Sequence, residues 1–369
     1  MTKTFTRARL LSPIVAAIGV IALLAPLPSV ASVPQSGRAL TATTIATGLM
    51  NPRGLTWNRG ALYVAEAGKG GSGPCAKNPE GTVCFGASGA ISRIRGNQRQ
   101  RIVTGLPSLA DPEGRFALGP HHVATAGGKL ITTVGLGGNL LFRKAFGPAA
   151  SGLGRLFGIS RHGTRERLAD VARYEATSNP DQGRIDSNPY GLWESGGEAV
   201  LTDAGGNSLL RVDRSGHISK IAVFPTRTVT FQGKRIPMQS VPTTVVKGPG
   251  GAYYVGELTG FPFRVGAARV YRVIPGQAPT VYAGGFTNII DIAFDGQGRL
   301  YVLEIAHNSL LADNPVGALI RVDKDGSRTI LMSKGLFYPG GLLVRSPHNF
   351  YVTNCGICAT AGKVLQLKG

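Results

Sequence analysis

The scarce acids of this chain recur at one place in a repeating phrase. Glu66 ends Leu62-Tyr-Val-Ala-Glu66, Asp203 ends Ala199-Val-Leu-Thr-Asp203, Glu257 ends Ala252-Tyr-Tyr-Val-Gly-Glu257 and Glu304 ends Leu300-Tyr-Val-Leu-Glu304. Asn354 closes Phe350-Tyr-Val-Thr-Asn354 in the same way, and Thr133 holds the matching place in Leu130-Ile-Thr-Thr133. Only 20 of 369 residues are Asp or Glu, so their recurrence at equivalent positions is informative. A second set, Asn51, His121 or His122, Asn188, Thr243, Asp291 and Tyr338, stands where the preceding apolar stretch of each phrase begins. If both sets face one opening, carboxylate, amide and carbonyl oxygens gather there, and Ca²⁺ accepts about six to eight such ligands in loose geometry. Asn188, Asp203, Glu257, Asp291 and Glu304 are the candidate metal set. The same side chains have a structural use, since Asp and Asn cap turns and bond backbone amides at strand ends.

Other residues could serve the same opening. His121 and His122 form the only paired histidines, after Gly119-Pro120. One of them suits a ligand or general base, and strand alternation lets at most one face an opening. Phe261 and Phe263 flank Pro262 in the loop after Glu257, where aromatic walls would hold a flat or sugar-like ligand; packing between repeats is the competing use. With Glu66, these four residues make up the candidate ligand-binding set. Gly68-Lys-Gly-Gly-Ser-Gly73 and Gly135-Leu-Gly-Gly138 lack Walker spacing, and neither Gly-x-Ser-x-Gly nor His-Glu-x-x-His occurs. No catalytic residue is assigned.

What positions these side chains is a repeat. Each unit runs through an apolar strand, a Gly turn, an aromatic-Val strand ending in the acid or amide, a Gly-rich loop, a strand carrying Arg, and a last strand. Six copies occur, and Val64, Thr133, Leu201, Val255, Val302 and Val352 mark them at spacings of 69, 68, 54, 47 and 50 residues. Four short strands per unit at this period predict an all-β fold, a six-bladed β-propeller, whose radial repetition leaves few exposed sheet edges. In that fold the two residue sets meet at one rim of the central channel. The excess of the first two spacings is expected in loops at 67–89 and 135–155. The sixth unit stops after Lys363-Val-Leu-Gln-Leu367 without an outer strand, and Thr43-Thr-Ile-Ala-Thr47 resembles the missing one. The N-terminal strand is therefore predicted to complete the last blade.

Several long phrases carry a family likeness. Tyr63-Val-Ala-Glu-Ala-Gly, Asp186-Ser-Asn-Pro-Tyr-Gly-Leu192, Asp203-Ala-Gly-Gly-Asn-Ser-Leu-Leu210, Tyr254-Val-Gly-Glu-Leu-Thr-Gly-Phe-Pro-Phe263 and Ala283-Gly-Gly-Phe-Thr287 resemble the ScyD/ScyE family, over 39–369. The resemblance implies an exported, NHL-like six-bladed propeller, in a family associated in cyanobacteria with assembly of the pigment scytonemin and found also where that pigment is not made. The resulting expectation is a binding or scaffold protein for a small ligand or exported protein at the channel mouth. A metal-dependent lactonase or hydrolase, or a lyase, of the gluconolactonase-like propeller kind is the alternative, because those enzymes use a central divalent cation.

The ends, cysteines and charge agree with export. Lys3, Arg7 and Arg9, an apolar run from Leu10 to Leu27 and Ser29-Val30-Ala31 read as a secretory signal over 1–31, cleaved after Ala31, with an uncleaved anchor as the competing reading. Residues 32–38 form a short linker and 39–369 one propeller domain, with no membrane-spanning segment in the mature chain. Cys75 with Cys84, and Cys355 with Cys358, suit two local disulfides in an oxidising compartment; a zinc site using all four is the alternative. The formal net charge of +20 falls to +17 without the signal. Arg93, Arg211, Arg272 and Arg321 spread part of it around the ring, whereas nucleic-acid binding needs clustering, so nucleic acid is not expected as a partner. Two clusters, Arg93, Arg95, Arg99 and Arg101, and Arg161, Arg165, Arg167 and Arg173, point to weak attraction to anionic envelope polymers or lipid headgroups.

Overall fold

A computed structural model describes residues 40–78, 81–160 and 162–369. The predicted signal, its linker, Ala39 and Arg161 lie outside the described residues. Among the described residues, no helix is long and apolar enough to cross a membrane.

Six antiparallel sheets make the blades, five of them four-stranded and the first with one extra short strand. Blade 1 comprises Pro52–Asn58, Ala61–Glu66, Gly81–Arg95 and Gln98–Ala110. Blade 2 comprises Pro120–Ala126, Lys129–Val134, Arg155–Ile159 and Arg165–Asp170. Blade 3 runs through Pro189–Ser195, Glu198–Asp203, Ser208–Val212 and Ile218–Val223. Blade 4 runs through Pro242–Lys247, Tyr253–Glu257, Ala268–Val273 and Thr280–Phe286. Blade 5 has Ile289–Phe294, Leu300–Glu304, Ala318–Val322 and Arg328–Met332. Blade 6 has Gly341–Ser346, Asn349–Asn354 and Gly362–Lys368, and its outer strand is Thr41–Leu49 from the other end of the chain. That strand pairs antiparallel with Gly362–Lys368, from Thr41 opposite Lys368 to Leu49 opposite Gly362. Each first-named strand of a blade packs against the next around the ring, and Pro52–Asn58 meets Gly341–Ser346 to close it. The protein is a six-bladed β-propeller, closed as the sequence predicts.

Strand alternation explains how the ring holds together. Successive side chains point to opposite sheet faces, and in a propeller both faces are covered by neighbouring blades. Leu201 and Leu210 of blade 3 pack with Ile131 and Leu156 of blade 2. Their neighbours Val200 and Leu209 pack with Val245 and Val255 of blade 4. Comparable apolar clusters fill the other four interfaces. Buried on both faces, the strands read as apolar runs, and proline begins four of the six innermost strands, where a missing N–H costs no ladder bond.

The two long insertions are more structured than loops. Cys75–Asn78 pairs with the start of Gly81–Arg95, lengthening the third strand of blade 1 into a hairpin, with Cys75 opposite Cys84. The segment 135–155 contains a helix, Leu140–Ala145, capped by the Asn139 side chain, and a 3₁₀ turn, Pro148–Gly152. Phe142, Phe146 and Leu153 of this insertion pack on Val83 and Phe85 of the hairpin, so each insertion supplies the other with an apolar partner. A second helix, Val171–Ser178, follows blade 2, and a hairpin of Arg227–Phe231 with Lys234–Met238 follows blade 3. Elements of four to eight residues carry too few turns of periodicity to be read from sequence. Cys75–Cys84 and Cys355–Cys358 form two separate disulfides, which removes the four-cysteine zinc reading.

Candidate functional site

In every blade the innermost strand begins, and the second strand ends, on the same face of the disc, as their antiparallel registers require. The acids at the second-strand ends are buried and already bonded. Glu66 accepts from the Met50 N–H at 2.8 Å, from Ser92 Oγ at 2.5 Å and from Arg101 at 2.8 Å. Asp203 accepts from the Asn188 N–H at 2.6 Å and from Ser187 Oγ at 2.7 Å. Glu257 accepts from Ser240 Oγ at 2.7 Å and meets Arg227. Glu304 accepts from the Thr287 N–H at 2.7 Å and meets His307, and Asn354 accepts from the Phe337 N–H at 2.8 Å. The pattern is one device repeated: the side chain ending the second strand ties down the connector that leads into its own blade. Asp291 differs, accepting from Thr244 Oγ1 at 2.7 Å and from the Leu342 N–H at 2.8 Å, and so linking the innermost strands of blades 4, 5 and 6.

These bonds bear directly on the expected metal set. No three His, Cys, Asp or Glu side chains among the described residues are gathered where they could hold a metal ion. Asp203, Glu257, Asp291 and Glu304 each accept from backbone or hydroxyl donors, which gives these four a structural use. Asn188 is the exception in this set, because its side-chain oxygen makes none of these bonds.

The histidines part company, as alternation demands. His121 is fully buried, its ring stacked on Tyr190 at 4.3 Å, with Nδ1 3.0 Å from the Pro189 carbonyl. His122 turns the other way, over Gly54, where a β-carbon would sit 2.3 Å from its ring; Gly54 makes that approach possible. Burial, helped by the Arg53 charge, lowers the His121 pKa to about 3, and burial lowers that of His122 to about 4. Both are neutral at physiological pH. With Nδ1–H donating to Pro189, His121 Nε2 is an acceptor with no hydrogen-bond partner. Asn188 Oδ1 and Arg53 Nε are likewise buried without partners. Gly135 lies between His121 and Asn188, where a β-carbon would come within 2.2 Å of the one and 2.5 Å of the other.

Arg53 and Tyr190 were not among the residues selected from sequence. Arg53 donates to the Ala117 carbonyl at 2.9 Å and to Gly356 in the Cys355–Cys358 turn, joining two connectors over the innermost strand of blade 1. Burial raises the Tyr190 pKa, the Arg53 charge lowers it and Asp291 raises it, so this phenol lies within range of both. A signal for the pair exists: Asn51-Pro-Arg-Gly54 and Asn188-Pro-Tyr-Gly191 are one phrase in two blades, with the variable residue two places after the asparagine.

Connectors of the same face carry exposed apolar side chains. Phe261 is 50 % exposed and meets Phe231 and Phe263 edge-on at 5.0 and 6.4 Å. Nine large apolar residues among those described are exposed, and six of them, Phe116, Leu141, Phe261, Val265, Leu311 and Phe337, lie on connectors of this one face.

No family model and no curated protein matches the chain. Solved structures do. A protein of unknown function from Bacteroides thetaiotaomicron aligns with a TM-score of 0.55 at 8 % identity, over 89 % of this chain and 76 % of that one. A putative gluconolactonase aligns at 0.50 and 12 %, over 91 % and 93 %. A putative oxidoreductase (glucose dehydrogenase) from Thermus thermophilus aligns at 0.51 and 16 %, over 89 % and 99 %. The likeness is one of fold. A shared propeller ring does not by itself carry a function.

Proposed function

We propose that this chain is an exported propeller of the ScyD/ScyE type that binds a ligand or protein partner on the face where its innermost strands begin. The observation that carries this reading is the concentration of exposed Phe116, Leu141, Phe261, Val265, Leu311 and Phe337 on the connectors of that face. Apolar side chains displayed together on one surface favour association, since covering them removes apolar area from water. The basic, then apolar N-terminal segment and the two disulfides support export. A metal-dependent hydrolase would draw on the oxygens at the strand ends of this face, whereas the binding reading rests on the exposed apolar side chains.

The test is retention of components from the producing cell's own secreted fraction by the immobilised chain and by a Phe116→Ser, Phe261→Ser, Phe337→Ser variant. A set held by the natural chain and lost by the variant is expected; identical sets on both would overturn the reading. Elemental analysis after chelation separates the rival, because stoichiometric divalent metal that is absent from Asp203→Ala would favour the hydrolase.

A further inference from the structure

Blade 1 treats its third-strand arginine differently from its sister blades. Arg93, Arg211, Arg272 and Arg321 hold equivalent registers, opposite Tyr63, Val200, Tyr254 and Tyr301 on the second strands. Arg211 is neutralised by Glu198, and Arg321 by Asp323 at 2.9 Å. After Arg272, residues 274–286 contain no further basic residue. Arg93 instead donates to the Gln100 amide oxygen at 2.8 Å, and the hairpin after it adds Arg95 and Arg99. Among the described residues, no acid lies within ion-pair distance of these three arginines.

Three further members of the basic clusters already hold partners. Arg101 is bound to Glu66 and to the Gly48 carbonyl, both at 2.8 Å. Arg165 bridges to the Gly105 carbonyl at 2.9 Å, and Arg167 meets Ser151 at 3.1 Å. Arg93, Arg95 and Arg99, with Gln98 and Gln100, line a cleft of about 500 Å³.

We propose that this cleft binds an acidic polysaccharide through a carboxylate or sulfate on one sugar unit. Guanidinium groups pair with such oxyanions through two parallel N–H bonds. The two glutamine amides offer both donors and acceptors, which is what sugar hydroxyls require. The lining carries no apolar side chain, whereas attachment to a lipid surface draws on buried apolar area; a polymer is the better fit.

Titration of the full chain with polygalacturonate, dextran sulfate, neutral dextran and phosphatidylglycerol vesicles tests the proposal. Binding to at least one acidic polymer is expected, weakening as salt rises, with none to neutral dextran. Polygalacturonate and dextran sulfate distinguish the carboxylate from the sulfate source. The Arg93→Gln, Arg95→Gln, Arg99→Gln variant should bind at least about tenfold more weakly at an unchanged melting temperature. A Lys220→Gln, Lys234→Gln, Arg235→Gln variant removes the same charge from exposed sites elsewhere and should lose less than about twofold. Equal losses in the two variants would show diffuse attraction to net charge and overturn the proposal. So would failure to bind either acidic polymer, or tighter binding to the vesicles than to both.

Discussion

Asp291 joins three innermost strands with one carboxylate, and the cost of burying it raises its pKa to about 6, as for Asp203. The buried histidines shift in the opposite direction, and the signs decide how acid acts. Below about pH 6.5 an unfolded chain takes up protons that buried His121 and His122 refuse, so their contribution is full above that pH and drains away toward pH 4 and pH 3. Asp203 and Asp291 favour the folded chain most below about pH 3.8, and that contribution is lost as pH rises to about 6. The two effects oppose each other in mildly acidic solution. Proton NMR should therefore show the ring signals of His121 and His122 unmoved from about pH 8 to about pH 5. The pKa of His307 moves the other way, raised by its bond to Glu304. Movement of a His121 signal near pH 6.5 would mean that its pocket is open to water. The sequence places these residues on the correct face, because repeat position determines which strand end each occupies. Which partners they choose is not legible there: Asp203 and Glu257 read equally well as ligands or caps until the connector donors Asn188 and Ser240 are seen beside them.

At the scale of elements, the outer strand of blade 6 is the most consequential. Ala46 and Leu49 lie in the interface between blades 6 and 1, beside Leu55 and Val64, so this strand both completes a sheet and fills a core. Deleting residues 39–48 removes nearly all of the strand and the Ala46 side chain from that core. The expected result is loss of the single cooperative thermal transition of the whole ring, followed by circular dichroism; an unchanged melting curve would show that blade 6 stands without it. This strand was legible because the sixth repeat visibly lacks one. The helix Leu140–Ala145 was not, since six residues are under two turns and its apolar face is covered by another insertion.

For the molecule as a whole, stability is shared among six similar interfaces, each buried on both sides. Leu201 is fully buried between blades 2 and 3. Leu201→Ala should cost about 2–5 kcal/mol and lower the midpoint of one transition for the entire ring; two separate transitions would mean that the blades melt independently. The fold was readable because it is a periodicity, whereas the partner-binding face depends on which connector residues end up exposed. The register joining Thr41 to Lys368 has a temporal meaning as well. The first strand of the ring to be synthesised has its partner in the last one. A growing chain cannot complete the circle until Gly362–Lys368 has emerged, so until then the blades form an open arc with an unmatched edge at each end.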